Sequence, residues 1–258
     1  MNRIAEAFSK EKLFIGFVTG GDPSIEKSEE FILKMINAGA GLVEIGVPFS
    51  DPIAEGPVIQ AANLRALNGG ASLAKLFVLV ERLREKTQIP LVFLTYFNPV
   101  FKYGVDGFFK RCKEAGIDGV IIPDLPFEES GEARGAADNN DISLISLIAP
   151  TSERRIEAIA KNAAGFLYVV SSMGVTGVRG AIETDLKPII AAARTHTKIP
   201  LAVGFGINTP EQAADIARTA DGVIVGSAIV KIVEQYGGDA GQHIYDYVKS
   251  MKAGMTGQ

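Results

Sequence analysis

Short apolar runs recur along the whole chain, and a stretch long enough for an amphipathic helix separates each run from the next. The runs are rich in β-branched residues, which is typical of parallel strands that are buried on both faces. They occupy residues 13–19, 42–46, 90–95, 119–123, 142–148, 166–170, 200–204 and 222–225. About eight strands in a chain of 258 residues predict an α/β protein with a closed (β/α)8 barrel, because an open doubly wound sheet usually has fewer strands.

The rest of the chain favours a single barrel preceded by one extra helix. Residues 1–12 alternate Ile4 and Phe8 with charged residues, which predicts an additional N-terminal helix. The residues that lead into the third and seventh runs are alike, QIPLV at 88–92 and KIPLA at 198–202. No proline- or serine-rich linker interrupts the series, so we predict one barrel domain over residues 1–258.

The composition excludes several classes of protein. With 26 basic against 30 acidic residues the formal net charge is −4, and the Lys and Arg residues form no cluster that could follow a phosphate backbone. Cys112, His196 and His243 are too few to hold a structural zinc ion. The apolar runs are too short to span a bilayer, and the N-terminal residues lack the apolar core of a signal peptide. We therefore expect a cytoplasmic protein.

A glutamate within the second apolar run is the first candidate for catalysis. Glu44 lies in LVEIG at 42–46, and a charged side chain in a strand buried on both faces is costly unless the barrel mouth uses it. The alternatives are an internal ion pair or a shifted strand register. Asp51 and Glu55 follow in a proline-rich loop that can fold over the mouth. Because burial raises a carboxyl pKa towards the range of proton transfer, Glu44 and this loop predict an acid–base site.

Glycine-bearing turns after the seventh and eighth runs indicate a binding site for phosphate. The segments are GFGIN at 204–208 and GSA at 226–228. Backbone N–H groups and the positive end of a helix opened by Ser227 can bind an anion without a lysine, and barrels of this kind often bind phosphate there. After the sixth run, residues 171–180 contain repeated glycines, which is typical of a mobile lid. A loop without function would have a similar composition, but the position beside the predicted phosphate turns favours a closing role.

Several well-known catalytic motifs are absent from the sequence. It contains no GxGxxG turn after the first run, no GxxxxGK[ST], no HExxH and no CxxC, so the usual sequence arguments for nucleotide cofactors, metal ions and redox chemistry do not apply. His196 precedes the seventh run, at the opposite end of the barrel from the mouth, and His243 belongs to the predicted last helix. A Ser–His–Asp triad is therefore not expected.

The ordered motifs of the chain resemble those of the α subunits of tryptophan synthase along nearly the whole length. The longest match is EIGVPFSDPIAEGP at 44–57, and FVTGGDP at 17–23, PDLP at 123–126, GVTG at 174–177, GFGI at 204–207 and GSAIV at 226–230 also match. The resemblance implies a TIM barrel lyase of tryptophan biosynthesis. Such an enzyme splits indole-3-glycerol phosphate into indole and glyceraldehyde 3-phosphate by a retro-aldol reaction, with acid–base catalysis and no cofactor in this subunit.

The resemblance assigns the two catalytic positions to Glu44 and Glu55. Glu44 matches the family's catalytic glutamate, which protonates C3 of the indole and takes the proton of the adjacent glycerol hydroxyl. Glu55 occupies the position of an aspartate that interacts with the indole N–H. The extra methylene displaces the carboxylate by about 1.5 Å, and a misplacement of that size can cost on the order of a hundredfold in rate. Either the loop compensates for this length or the activity is reduced.

The resemblance also implies a set of substrate-binding residues. The indole pocket would be lined by Phe17, Ile59, Leu94, Tyr96, Ile121 and Phe205. Tyr168 would form a hydrogen bond near Glu44, whereas Thr176 on the lid and Asp124 after the fourth strand would help to close and align the site. The phosphate would be bound by Gly177, Gly206, Gly226 and Ser227.

By the same resemblance, the chain would pair with a tryptophan synthase β subunit in an αββα heterotetramer. That partner would carry pyridoxal phosphate (PLP) and receive indole through a tunnel. Asp51, Pro52 and the segment 98–103 match the contact region, and Val100 and Phe101 contribute apolar surface there.

Three other functions stay open at this point. One is another phosphate-binding barrel such as indole-glycerol phosphate synthase, although its usual catalytic lysines have no counterpart at these strand ends. A second is a self-sufficient lyase that releases indole without a partner. The third is a catalytically weak regulatory subunit, which would bind substrate and switch a PLP-dependent β subunit. Glu55, at the usual aspartate position, keeps this third function open.

Overall fold

Eight parallel strands close into a barrel in the order of the chain. The structure is a computed structural model that describes residues 2–150, 153–170, 186–204 and 206–256. The strands are β1 (Leu13–Thr19), β2 (Leu42–Gly46), β3 (Leu91–Leu94), β4 (Gly119–Ile121), β5 (Ser143–Ile148), β6 (Leu167–Val170), β7 (Leu201–Gly204) and β8 (Gly222–Val225). Because β8 pairs with β1 as well as with β7, the sheet is closed. The predicted α/β class and (β/α)8 barrel are confirmed.

Helices surround the barrel and connect its strands. They are α1 (Arg3–Lys10), α2 (Ile25–Asn37), α3 (Pro57–Asn68), α4 (Leu73–Arg84), α5 (Phe97–Tyr103), α6 (Val105–Ala115), α7 (Gly131–Asn139), α8 (Glu153–Lys161), α9 (Lys187–Arg194), α10 (Pro210–Ala217), α11 (Ser227–Tyr236) and α12 (Ala240–Thr256). α1 is the additional N-terminal helix that the sequence predicts. Its N-terminus is capped by the side chain of Asn2, which accepts a hydrogen bond from the Ile4 N–H at 2.8 Å.

Prolines shift three strand boundaries away from the predicted positions. The sequence predicts that Pro90 and Pro200 open strands, whereas β3 and β7 begin one residue later. β4 ends at Ile121, before Pro123. Proline has no N–H to donate to a neighbouring strand, so these residues lie outside the strands, although the carbonyls of Pro90 and Pro200 still accept hydrogen bonds from Val43 and Leu167.

The interior of the barrel is filled by side chains and closed at one end by α1. The buried residues of this layer are Ile4, Leu13, Ile15, Leu42, Val92, Ile121, Ile145, Phe166, Tyr168, Ala202 and Ile224. Ile4 comes from α1, and the ring of Phe8 on the same helix lies 5.7 Å from the ring of Phe166, measured between centroids. The amino-terminal end of the barrel is therefore covered by α1, and a site belongs at the carboxyl ends of the strands.

A second apolar layer lies between the strands and the surrounding helices. Its buried residues include Phe14 on β1, Phe31 on α2, Phe77 on α4, Phe93 on β3 and Phe108 on α6. This layer fixes the helices that carry the site against the barrel wall. Within the described ranges, no helix is both long and apolar enough to cross a membrane.

Candidate active site

Glu44 projects from the middle of β2 into the barrel mouth and is almost completely buried. It pairs in register with Phe17 of β1 and Val92 of β3, and only 1% of its surface is exposed. Among the residues that the structure describes, Glu44 forms no ion pair and its Oε1 atom has no hydrogen-bond partner. Burial raises the pKa of its carboxyl group to about 8. The predicted strand register is therefore correct, and the internal ion pair is not found in the described part of the chain.

Glu55 lies at the end of the loop between β2 and α3, and neighbouring side chains hold it in place. Its Oε2 atom accepts a hydrogen bond from Asn63 Nδ2 at 2.6 Å, and its carbonyl oxygen accepts one from Gln60 Nε2 at 2.7 Å. One residue earlier, the Ala54 N–H donates to the Tyr96 hydroxyl at 3.1 Å. Glu55 is 6% exposed, and burial raises its pKa to about 7 although the bond from Asn63 acts in the opposite direction.

Both carboxyl groups line one cavity at the carboxyl ends of the strands. Its walls are mainly apolar, with Phe17 from β1, Ile59 from α3 and Leu94 from β3. The other lining residues are Ala54, Pro123, Leu147, Tyr168, Gly206, Ile207, Ile224, Gly226, Ser227 and Ala228. An apolar cavity with a few convergent polar groups is the usual form of a binding site for a small molecule.

Two glycines make room for aromatic side chains beside Glu44. A Cβ atom at Gly46 would lie 2.6 Å from Cζ of Phe17, and one at Gly204 would lie 2.7 Å from Cζ of Tyr168. Real Cβ atoms do not approach so closely, so any other residue at either position would displace the aromatic ring from its place in the cavity. Burial and the nearby charge of Glu44 raise the pKa of Tyr168 well above its usual value, which keeps its hydroxyl protonated.

The other end of the cavity is formed by backbone at the last two strands. Gly206, with φ of 83°, follows β7, and Gly226 and Ser227 follow β8. α11 begins at Ser227 with Gly226 as its N-cap, and no side chain in the described ranges caps it. The N–H groups of this helix end and its partial positive charge suit an anion.

Three of the predicted substrate-binding residues lie outside the cavity lining. Tyr96 uses its hydroxyl to hold the loop at Ala54, and Ile121 is part of the barrel interior. The Asp124 carboxylate accepts hydrogen bonds from the Phe97 N–H at 2.9 and 3.2 Å, which caps the N-terminus of α5. Direct contact of these three side chains with a substrate stays a prediction. The predicted site residues Thr176, Gly177 and Phe205 lie outside the described residues.

Asn63 contacts Glu55 directly but is not among the site residues predicted from the sequence. A local signal for it exists. Ile59, Ala62 and Ala66 form the buried face of α3, and Asn63 lies on that face with only 3% of its surface exposed. A polar residue in an apolar helical face needs a hydrogen-bond partner. The identity of that partner depends on the loop before the helix, which the sequence pattern does not specify.

The fold and the site together define a class of protein, a (β/α)8-barrel enzyme with two buried carboxyl groups in a cavity that ends at a helix N-terminus. The family model described as Tryptophan synthase alpha chain matches residues 4–256. The chain belongs to the tryptophan synthase alpha chain family. It is accordingly a lyase of tryptophan biosynthesis that cleaves indole-3-glycerol phosphate.

Relatives of known sequence and structure match over nearly their whole length. The tryptophan synthase alpha chain of Lactiplantibacillus plantarum is 48% identical over 259 residues, covering 100% of this chain and 98% of that protein. That of Lacticaseibacillus casei is 47% identical over 252 residues, covering 98% and 95%. Tryptophan synthase subunit alpha of Legionella pneumophila superposes with a TM-score of 0.89 at 35% identity over 100% of both chains. A chain from the tryptophan synthase a2b2 complex of Pyrococcus furiosus has a TM-score of 0.88 at 33% identity, covering 95% and 99%.

Proposed function

We propose that Glu44 and Glu55 carry out the acid–base chemistry of indole-3-glycerol phosphate cleavage. The observation that supports this proposal is that both buried carboxyl groups line one apolar cavity. The reaction needs a proton for C3 of the indole, an acceptor for the ring N–H and a base for the glycerol hydroxyl. Two carboxyl groups from different elements can share these transfers if their environments separate their pKa values.

The proposed cycle begins with neutral Glu44 and ionised Glu55. Glu44 donates its proton to C3, while Glu55 accepts a hydrogen bond from the ring N–H and stabilises the positive charge that the ring gains. The Glu44 carboxylate then takes the proton of the hydroxyl on the carbon attached to C3. That carbon becomes the aldehyde, its bond to C3 breaks, and the electron pair returns to the ring to give neutral indole. Glu44 ends protonated, as it began.

The pKa values of the two groups support this division of roles. With a pKa of about 8, Glu44 is mostly protonated at neutral pH and can act as the acid. With a pKa of about 7, Glu55 is about half ionised at pH 7 and mostly ionised by pH 8, and its ionised form can act as the acceptor. The acid has the higher pKa of the pair, so both groups can be in the required state between these values.

The cavity walls suggest how the substrate is held. We assign the indole ring to the apolar wall of Phe17, Ile59 and Leu94, where an aromatic ring gains the largest buried area. The Tyr168 hydroxyl, which also lines the cavity, would donate a hydrogen bond near Glu44 and the cleaved carbon chain. We assign the phosphate to the backbone of Gly206, Gly226 and Ser227 at the N-terminus of α11. By resemblance, Thr176 would help to close the lid, Gly177 would contact the phosphate and Phe205 the indole.

We further propose that the chain is the α subunit of an αββα heterotetramer in the cytoplasm. The partner β subunit would bind PLP, whereas this chain, as one domain over residues 1–258, would need no cofactor. Ile53 and Phe101 expose 72% and 66% of their surfaces beside the barrel mouth, in the segments that resemble the partner contact. Exposed apolar residues of this size are typical of a protein interface. Val100, expected in the same apolar surface, is instead fully buried, so Phe101 supplies that surface.

Indole release from indole-3-glycerol phosphate tests the proposal, measured with and without a tryptophan synthase β subunit. We expect slow release by the chain alone and a sharp rise on adding the partner. Glu44→Gln should abolish the cleavage while leaving substrate binding intact, and Phe101→Lys should remove the effect of the partner but not the basal rate. Absence of release in both conditions, despite substrate binding, would overturn the proposal and favour a regulatory subunit.

A further inference from the structure

Asn63 is the described residue that donates a hydrogen bond to the carboxylate of Glu55, through Nδ2 to Oε2 at 2.6 Å. We propose that Asn63 is a positioning residue that holds one oxygen of Glu55 and directs the other towards the ring N–H of the substrate. The proposal rests on the function proposed above for Glu55. It assigns no contact with the substrate to Asn63 itself.

The helix that carries Asn63 is anchored firmly enough for its amide to act as a fixed donor. Two residues along α3, Arg65 forms a bidentate ion pair with Asp22 after β1, from Nε to Oδ1 at 3.0 Å and from Nη2 to Oδ2 at 2.8 Å. Asp22 is 3% exposed, and such bidentate pairs impose a defined geometry as well as attraction. Asn63 itself is 3% exposed. Its amide therefore stays at a defined distance from the loop.

The length of the Glu55 side chain makes this contact more important. A glutamate has one more rotatable bond than an aspartate, so its carboxylate can adopt more positions at the end of the loop. The Gln60 amide holds the Glu55 carbonyl at 2.7 Å, and the Asn63 amide holds the carboxylate. Together they fix the main chain and the carboxylate of Glu55, which offers a physical means for the loop to accommodate the extra methylene.

An amide also suits the electrostatics of this cavity. The titratable groups that face Glu55 are Glu44 from β2, Tyr168 from β6 and Tyr96 after β3, and none of them carries a positive charge. No lysine, arginine or histidine occurs among the described residues of the cavity lining. The Asn63 hydrogen bond therefore favours the ionised form of Glu55. A cation at this position would lower the pKa of Glu55 much further and keep it ionised at every working pH.

The experiment compares wild type with Asn63→Leu, Asn63→Gln and the surface control Leu64→Gln. Leu64 lies next to Asn63 on α3 but is 55% exposed. The ionisation of Glu55 is followed in the free proteins by 13C NMR of labelled glutamate carboxyl groups, with Glu55→Gln to identify the signal. The pH dependence of kcat/KM is measured in parallel. The same substrate is used throughout, so titration of its phosphate affects all proteins equally.

Loss of the donor should shift a titration rather than merely reduce the rate. In Asn63→Leu we expect the midpoint of Glu55 to rise by about one to two pH units, because a hydrogen bond to a charged group has that effect. At pH 6, kcat/KM should then fall about 10- to 100-fold, and the loss should shrink as the pH rises. Leu64→Gln should stay close to wild type in midpoint, whereas Asn63→Gln, which keeps the amide but moves it by one methylene, should give a smaller upward shift than Asn63→Leu.

The possible outcomes separate this inference from the proposed function. An unchanged Glu55 midpoint in Asn63→Leu, with a uniform loss of rate at every pH, would overturn the positioning role. If Asn63→Leu does not fold, Asn63→Ser replaces it, with the same upward shift expected because serine is too short to reach Oε2. Absence of cleavage by wild type would refute the function proposed for Glu55, whereas the carboxyl titration would still decide whether Asn63 controls its ionisation.

Discussion

Asp118 and Asp221 hold two parts of the barrel together through the same set of contacts. Each precedes a strand and accepts a hydrogen bond from the first N–H of the neighbouring strand, Leu91 to Asp118 at 2.9 Å and Leu201 to Asp221 at 2.8 Å. In both cases a second hydrogen bond runs in the opposite direction, from the aspartate N–H to the carbonyl of the same leucine. The two aspartates therefore fasten β3 to β4 and β7 to β8 at the amino-terminal end.

The arginine partners of the two aspartates also correspond. Arg84, at the end of the helix before β3, donates to Asp118 Oδ2 at 2.5 Å, and Arg194, at the end of the helix before β7, donates to Asp221 Oδ2 at 2.9 Å. The burial of the two pairs differs. The side chains of Arg84 and Asp118 are 11% and 6% exposed, whereas those of Arg194 and Asp221 are 41% and 33% exposed. The same contacts should therefore contribute differently to stability.

We expect Asp118→Ala to destabilise the fold much more than Asp221→Ala. Removing Asp118 leaves the buried guanidinium of Arg84 without its carboxylate partner, which costs about 3–5 kcal/mol, and it also breaks a more exposed ion pair with Arg3. Removing Asp221 breaks an ion pair that water already reaches, so the ion pair contributes little. The loss of the hydrogen bond from the Leu201 N–H should dominate, at about 1–2 kcal/mol. Chemical denaturation of both variants measures the difference. Equal losses at the two positions would show that the burial of the ion pair does not control its contribution.

The architecture could be predicted from the sequence because its signals are local. Glu44 is an example. The apolar run around it indicates a buried strand, and a charged side chain within that run indicates a functional position. The contact between Asn63 and Glu55 could not be predicted in this way, because it depends on the path of the loop that precedes α3. The positions of Tyr96 and Asp124 outside the cavity lining could not be predicted for the same reason. Their side chains hold a loop and a helix end, and these contacts depend on the path of the backbone.

Shortening Glu55, the second carboxyl group of the proposed cycle, tests how well the site accommodates a glutamate. In Glu55→Asp the carboxylate retracts by about 1.5 Å and loses its reach to Asn63, so we expect kcat/KM for indole release to fall, on the order of a hundredfold at most. Initial rates in the presence of the β subunit measure this. Glu55→Gln serves as the comparison that keeps the length but removes the charge. A large increase in rate for Glu55→Asp would instead identify the natural chain as a catalytically weak regulatory subunit.

The phosphate assignment predicts a selective effect at Gly226. Its φ of −117° lies outside the left-handed region, and an added Cβ would meet Phe17 at 3.4 Å, which is an ordinary contact. The larger side chain should fill the end of the cavity at the N-terminus of α11. We expect binding of indole-3-glycerol phosphate to weaken far more than binding of indole, as measured by calorimetry. An equal loss for both ligands would place the phosphate elsewhere.

The pH dependence of cleavage should be bell-shaped. The proposed cycle needs ionised Glu55, so the rate should fall as the pH decreases below about 7. The cycle also needs protonated Glu44, so the rate should fall as the pH rises above about 8. The profile of kcat/KM is the measurement, with Glu55→Asp as a variant that should move the acidic limb and leave the alkaline limb in place. A rate that continued to increase to pH 9.5 would exclude Glu44 as the initial acid.

The burial of Glu44 should make the fold less stable as the pH rises, independently of any activity. Its pKa is raised from 4.5 to about 8 in the folded chain, so the unfolded state loses this proton first. The contribution of the protonated group is complete below pH 4.5 and is lost progressively up to about pH 8, at about 1.4 kcal/mol per pH unit. Glu44→Gln removes this titration. The variant should therefore match wild type near pH 4.5 and become more stable than wild type by several kcal/mol near pH 8.5.

Urea denaturation at several pH values measures this difference in the free energy of unfolding. Glu114→Gln on α6 is the matched control, because Glu114 is exposed and the substitution changes the charge by the same amount. If Glu44→Gln followed wild type at every pH, as the control should, the carboxyl group would not be held neutral by burial. The acid that begins the proposed cycle would then be missing. If the free energy of unfolding of Glu44→Gln increasingly exceeded that of wild type as the pH rose, the chain would keep an ionisable group in its barrel at a cost in stability. A catalytic role explains such a cost, whereas packing does not.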